Sequence, residues 1–301
     1  MLKFKSTICY YSRTLLLFTM ALVIGVLSAC TSGSDSGKIK AVAAENFYGE
    51  VIKAVGSDLV EVISLLDKPD ADPHDYEPTP KASKAVHNAK LVVYNSLGYD
   101  EWTKKMIDAS SDAANKMVIA VATDVMGKQE GDNEHVWYNP ETLPKLAKLI
   151  AEKLGKLDPG NSAVYQKNAD AYIATLAPLT SLIKELKQTA AVPIAVSEPI
   201  ADYLVEALNL TITNKKFEAA IEEGTDPAPA DIAQLQDNIK GKKIKLLVNN
   251  IQSSSAVVKN MVDLAKQSGV PVVDVTETLP TGKNYQEWMI GQLNQFKAAL
   301  K

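Results

Sequence analysis

The spacing of apolar residues changes period repeatedly along this chain. Runs dense in Val, Ile, Leu and Ala occur at residues 39–43, 60–66, 91–95, 117–121, 192–196, 245–248 and 270–275. Between them, apolar positions return every three or four residues, at 47–55, 80–88, 101–109, 142–154, 201–208, 255–267 and 288–300. The first pattern predicts strands and the second amphipathic helices. Their alternation predicts βαβ units and mostly parallel sheets. Residues 211–213 make only a short apolar run, and Pro227 and Pro229 between Asp226 and Asp231 mark the opening of a further helix.

One stretch has a longer stripe. Tyr165, Ala169, Tyr172, Leu176, Leu179, Ile183 and Leu186 step alternately by four and three, which places them on one face of a helix. A helix over 162–188 would span roughly 40 Å at 1.5 Å per residue. Pro178 lies inside it and is expected to bend it or remove a bond. The fold class expected is therefore α/β, with two lobes, each a mostly parallel sheet flanked by helices, joined by one long interlobe helix. The boundaries read as 39–160, 161–189 and 190–301. No internal repeat stands out.

Composition adds a leader. Residues 1–13 carry Lys3, Lys5 and Arg13 without an acid, and an apolar run follows from Leu15 to Leu27. Basic, then apolar, then small residues make a secretory signal over 1–29, too short to favour a membrane span. Its end, Leu27-Ser28-Ala29-Cys30, resembles a bacterial lipobox, which implies cleavage before Cys30 and lipid on its sulfur. Residues 30–38 have the Gly/Ser-rich composition of a flexible tether. The whole chain has a net charge of −4, and losing the basic leader makes the remainder more acidic. That argues against nucleic acid as a partner. Cys9 departs with the leader, so Cys30 alone remains and no intrachain disulfide can form.

Histidine is scarce, with three in 301 residues. His74 lies in Asp72-Pro73-His74-Asp75-Tyr76-Glu77-Pro78, an acidic loop after the 60–66 run. Its prolines fix φ and can aim an imidazole at little ordering cost. His135 lies in a second loop, Glu134-His135-Val136-Trp137-Tyr138-Asn139-Pro140. Glu198, in Ser197-Glu198-Pro199, and Glu277, in Thr276-Glu277-Thr278-Leu279-Pro280, each follow an expected strand. Open α/β sheets bind ligands beyond the carboxyl ends of their strands. Two neutral imidazoles and two carboxylates balance a 2+ charge and supply four donors. His87 falls on a helical segment outside any motif and reads as a surface or boundary residue. Trp102, Trp137 and Trp288 read as packing, with Trp137 a candidate wall of the site. Asn249 and Asn250 either orient a ligand or turn the chain.

The residues 73–80, then Val92-Val93-Tyr94-Asn95 and Glu101-Trp102, resemble the metal-binding solute-binding lipoproteins of bacterial zinc and manganese ABC transporters. Glu134-His135-Val136-Trp137 is similar to that family's second ligand motif, and the segment from Asp158 to Leu186 to its interlobe helix. The resemblance implies Glu198 as third ligand, where many zinc members have His and many manganese members Glu. It implies Glu277 as fourth, where the family more often has Asp. Asp274, three residues earlier, is the reserve for that place.

The function implied is capture of Mn2+ or Zn2+ outside the cell membrane by a lipid-anchored monomer. The ion would be handed to an ABC-transporter permease. No Walker-type loop, His-Glu-x-x-His helix or Gly-x-Ser-x-Gly elbow occurs, and four protein ligands leave no open position for an activated water. The alternatives are a secreted metal-dependent hydrolase and an adhesin with a structural metal. Two carboxylates lean the site towards Mn2+, while the Irving–Williams order favours Zn2+.

Overall fold

The computed structural model describes residues 37–68 and 76–301. The leader, Cys30, most of the tether and the His74 loop lie outside the described residues. Strand β1 (Ile39–Glu45) runs into α1 (Asn46–Gly56), then β2 (Val60–Leu66), α2 (Pro80–Asn88), β3 (Leu91–Tyr94), α3 (Glu101–Asp108) and β4 (Met117–Ala120). The four strands form a parallel sheet in the order β2-β1-β3-β4, with Ile39 opposite Val60, Ala41 opposite Leu91 and Leu91 opposite Met117. Four consecutive buried residues in β3 show why its sequence reads as an unbroken apolar run: both faces of the sheet are covered.

The second sheet repeats the topology with other residues. It takes β5 (Val192–Val196), β6 (Leu210–Ile212), β7 (Leu247–Asn250) and β8 (Val272–Val275), parallel throughout, in the order β6-β5-β7-β8. Helices α7 (Asp202–Ala207), α8 (Lys215–Glu222), α9 (Pro229–Lys240), α10 (Ala256–Ser268) and α11 (Tyr285–Ala299) flank or follow these strands. In each sheet the chain reverses its direction of winding between the first and third strands. That switch point is where a crevice opens beyond the carboxyl ends.

Between the sheets run α4 (Thr142–Leu157), α5 (Ser162–Thr175) and α6 (Ala177–Leu186). The expected single helix over 162–188 is thus two helices, parted at Leu176 with φ −82° and ψ −2°. Pro178 lacks the N–H that would bond the carbonyl of Ala174. The stripe itself is buried: Tyr165 and Ala169 on α5, then Leu179, Ile183 and Leu186 on α6.

The main apolar cluster contains residues of both sheets, among them Ala43, Val93 and Ile119 from the first and Val196, Val248 and Val275 from the second. Two smaller clusters cover the outer faces, one under α2 and α3 and one under α9 and α10. Aromatic rings tie the centre together. Phe47 of α1 lies 5.2 Å from Trp137 and 5.9 Å from Trp288, ring centroid to centroid. Both tryptophans are fully buried.

The segment 214–225 gave no element on apolar spacing. It contains α8, whose inward face is carried by Phe217 and Glu218. Strand β7 also ends two residues later than the apolar run 245–248, because Asn249 and Asn250 pair with Asp274 and Val275 of β8. Both asparagines are strand residues.

Candidate metal centre

His135 follows a loop that both halves of the molecule hold. The side chain of Asn95, at the end of β3, donates to the carbonyl of Glu134 at 2.9 Å and accepts from the Tyr48 hydroxyl at 2.7 Å. From the other side, Asn133 Nδ2 donates to the carbonyl of Pro199, and the Tyr203 hydroxyl donates to the carbonyl of Asn133, both at 2.7 Å. His135 is itself completely buried. Its tautomer follows from its neighbours. Asn133 Oδ1 accepts the backbone N–H of His135 at 2.8 Å, which identifies that atom as oxygen, and it lies 2.9 Å from His135 Nδ1. The Nδ1 therefore carries the proton, and the lone pair is on Nε2.

That lone pair faces carboxylates. Nε2 lies 3.6 Å from Oε1 of Glu222, the last residue of α8. Ligand atoms from Glu134, His135 and Glu222 all fall within 4.8 Å of one another. Burial pushes the Glu222 carboxyl up to about 9, helped by the negative charges of Glu134, Glu277 and Glu198 in that order, and by a hydrogen bond with Glu134. Glu198 and Glu277 thus lie within electrostatic reach of the same carboxyl as His135.

The supports of Glu198 and Glu277 come from the second sheet. Glu198 leaves β5 at the switch point, and Asn250 at the end of adjacent β7 donates its Nδ2 to Glu198 Oε2. The Asn250 backbone N–H donates to Ser197 Oγ at 2.9 Å. Gln252 Oε1 accepts the backbone N–H of Glu277 at 2.7 Å, fixing the loop after β8. Helix α8 is moored beside Glu198: Asn214 Nδ2 donates to the carbonyl of Val196 at 2.7 Å while its Oδ1 accepts the Val196 N–H at 3.1 Å.

Tyr99 comes from the first half. Its loop holds Ser96 and Leu97 at φ 75° and 59°, a left-handed conformation costing about 1–3 kcal/mol per residue. Asp100 offsets this by accepting the N–H groups of Asn95 and Ser96 at 2.6 and 2.7 Å. The pKa of the Tyr99 hydroxyl is raised well above the ordinary value, first by burial and then by the Glu277 charge.

Of the residues singled out in the sequence, His135 lies 3.6 Å from Glu222, and Glu277 and Glu198 act on the Glu222 carboxyl through their charge. His74 lies outside the described residues. Asp274 is held elsewhere, its Oδ1 accepting from Asn249 Nδ2 at 2.8 Å and its backbone N–H donating to Gln295. His87 is exposed, with Nδ1 3.2 Å from Ser110 Oγ. Trp137 packs 5.1 Å from the His135 ring. Glu134 and Glu222 were not expected as ligands. Glu134 adjoins a histidine, which is a weak signal. Glu222 belongs to an acidic pair before Gly224 that reads like any exposed helix end. One imidazole with several carboxylates forms an oxygen-rich donor set suited to a divalent cation.

Comparison with known proteins places these features in context. The family model described as zinc-uptake complex component A, periplasmic (ZnuA) matches residues 41–299. The metal ABC transporter substrate-binding lipoprotein SsaB of Streptococcus sanguinis is 30% identical over 274 residues, covering 84% of this chain and 85% of its own. The manganese ABC transporter substrate-binding lipoprotein scaA of Streptococcus gordonii is 29% identical over 316 residues, covering 96% of this chain and 98% of its own. Among solved structures, the solute-binding protein FpvC of Pseudomonas aeruginosa with Ni2+ superposes with a TM-score of 0.70 at 24% identity, over 87% of this chain and 96% of that one. This last likeness is one of fold.

Proposed function

Because the chain belongs to the zinc-uptake complex component A family, we propose that it captures a divalent transition metal, Mn2+ or Zn2+, outside the membrane and delivers it to an ABC-transporter permease. The family consists of substrate-binding transport proteins rather than enzymes. The observation that carries the reading is the wholly buried His135, its Nε2 3.6 Å from Glu222, a carboxyl that also feels the charges of Glu134, Glu277 and Glu198. Carboxylates that raise one another's affinity for protons are relieved when a cation stands between them. The metal is cargo, so the ligands must close around it and later release it. Loops supported by second-layer asparagine and glutamine hydrogen bonds suit that task, because they set geometry without adding donors.

His74 completes the proposed ligand set with His135, Glu198 and Glu277. Lipid on Cys30 would hold the domain at the membrane surface, and no helix among the described residues is long and apolar enough to cross a membrane. The test is calorimetric titration of metal-stripped protein with Mn2+ and with Zn2+. His135→Ala is expected to weaken binding of both ions by at least about tenfold while circular dichroism stays native. Failure of the parent protein to bind either ion would overturn the reading.

A further inference from the structure

We infer that Glu222 is a direct ligand of the captured cation and that it tilts the site towards ions preferring oxygen donors. The inference rests on the metal-capture reading above and extends it to a residue that the ligand set of His74, His135, Glu198 and Glu277 omits.

Distance is the first ground. His135 Nε2 and Glu222 Oε1 are 3.6 Å apart, beyond the 2.7–3.2 Å range of a hydrogen bond. Two ligands on one ion, with bonds of about 2.1 Å, stand about 3.0–3.5 Å apart for octahedral to tetrahedral angles. The observed separation is close to that of atoms sharing a cation. Two opposed bonds of that length span at most about 4.2 Å, so Glu134, grouped with the other two only within 4.8 Å, is left out of the inference.

Orientation is the second ground. Asn133 holds the proton on His135 Nδ1, so the atom facing Glu222 is the one able to coordinate. A ligating histidine whose other ring nitrogen donates to a fixed acceptor is the usual arrangement at metal sites.

Rigidity is the third. Glu222 terminates an eight-residue helix. The residue capping its start, Asn214, bonds both backbone groups of Val196, two residues before Glu198. Glu198 and Glu222 are therefore presented by one connected unit, and neither has to be brought in from a separate element.

The consequence is selectivity. Zn2+ is well served by four donors and binds imidazole strongly, whereas Mn2+ takes more oxygen ligands and gains more from each added carboxylate. Removing the Glu222 carboxylate should thus harm Mn2+ binding more than Zn2+ binding.

The experiment uses metal-stripped full-length protein and its Glu222→Gln variant, with Glu223→Gln, an exposed neighbour, as the control. Mn2+ is titrated directly and Zn2+ by competition with a chelator. In Glu222→Gln, Mn2+ affinity is expected to fall at least about tenfold and Zn2+ affinity less than about threefold, with Glu223→Gln unchanged. Glu222→Asp, which keeps the charge on a shorter arm, should recover part of the Mn2+ loss. Affinities unchanged in Glu222→Gln, or falling equally for both ions, would overturn the inference while leaving the capture reading intact. A parent protein that binds neither ion would instead remove the reading on which it rests.

Discussion

Asn250 shows how a residue that touches no ion can govern one. Its side chain bonds Glu198, its backbone N–H bonds Ser197 Oγ, and its Oδ1 accepts from the N–H of Gln252, the residue that positions Glu277. Two candidate ligands therefore depend on one strand-end asparagine. Asn250→Ala should lower metal affinity by about tenfold with the fold intact, as measured by calorimetry, because such supporting groups are worth about 10–100-fold. Wild-type affinity in that variant would show that Glu198 and Glu277 hold their places without it. The residue scale is also where the sequence was least legible. Glu198 and Glu277 could be singled out because each follows an apolar run. Glu222 could not, since an acidic helix end before a glycine is usually solvated, and only the packing of α8 against β5 turns this one inward.

At the scale of the element, α8 carries a buried charge cluster. Glu218 is 2% exposed and its carboxyl is pushed up to about 8, chiefly by burial and then by the charge of Asp202. Lys215 Nζ contacts Asp202 at 2.5 Å and Glu218 at 3.1 Å, which only partly offsets this. A carboxyl with a raised pKa favours the folded state when protonated. Its contribution is complete below the ordinary value of 4.5 and drains away as pH rises towards about 8. Glu218→Gln should thus flatten the fall in melting temperature between pH 5 and 8 and stabilise the protein at the upper end. Parallel melting profiles for variant and parent would refute this. Most elements were readable because a parallel sheet covered on both faces demands continuous apolar strands. Helix α8 was not, because its buried face is one aromatic, Phe217, and one charged residue, Glu218. The break at Leu176 was foreshadowed by Pro178, a purely local constraint.

For the whole molecule, the continuous core matters most. The largest apolar cluster draws on both sheets, and Tyr138 joins the two halves through its hydroxyl, whose one proton lies between the Thr276 carbonyl and Gln292 Oε1. The Tyr285 hydroxyl donates to the carbonyl of Trp137 at 2.6 Å, and the Tyr285 N–H to Glu50 at 2.8 Å. Lobes sharing a core cannot unfold independently. Urea denaturation followed by tryptophan fluorescence and by far-ultraviolet circular dichroism should give one coincident transition. Two separated transitions would show that the halves are energetically independent. Tyr138→Phe should move that single transition to lower urea, by about 1–3 kcal/mol, because it removes a part-buried hydrogen bond between the halves.

The sequence by itself determined what depends on neighbours along the chain. Strand and helix periods, the proline break, the two loop histidines and the motifs of the metal-transport family all belong to that class, since each is written in residues a few positions apart. Tertiary structure alone decided which carboxylates share a space. Glu134, Glu198, Glu222 and Glu277 come from separate elements, and their mutual influence depends on distances that arise only when two sheets close on one core.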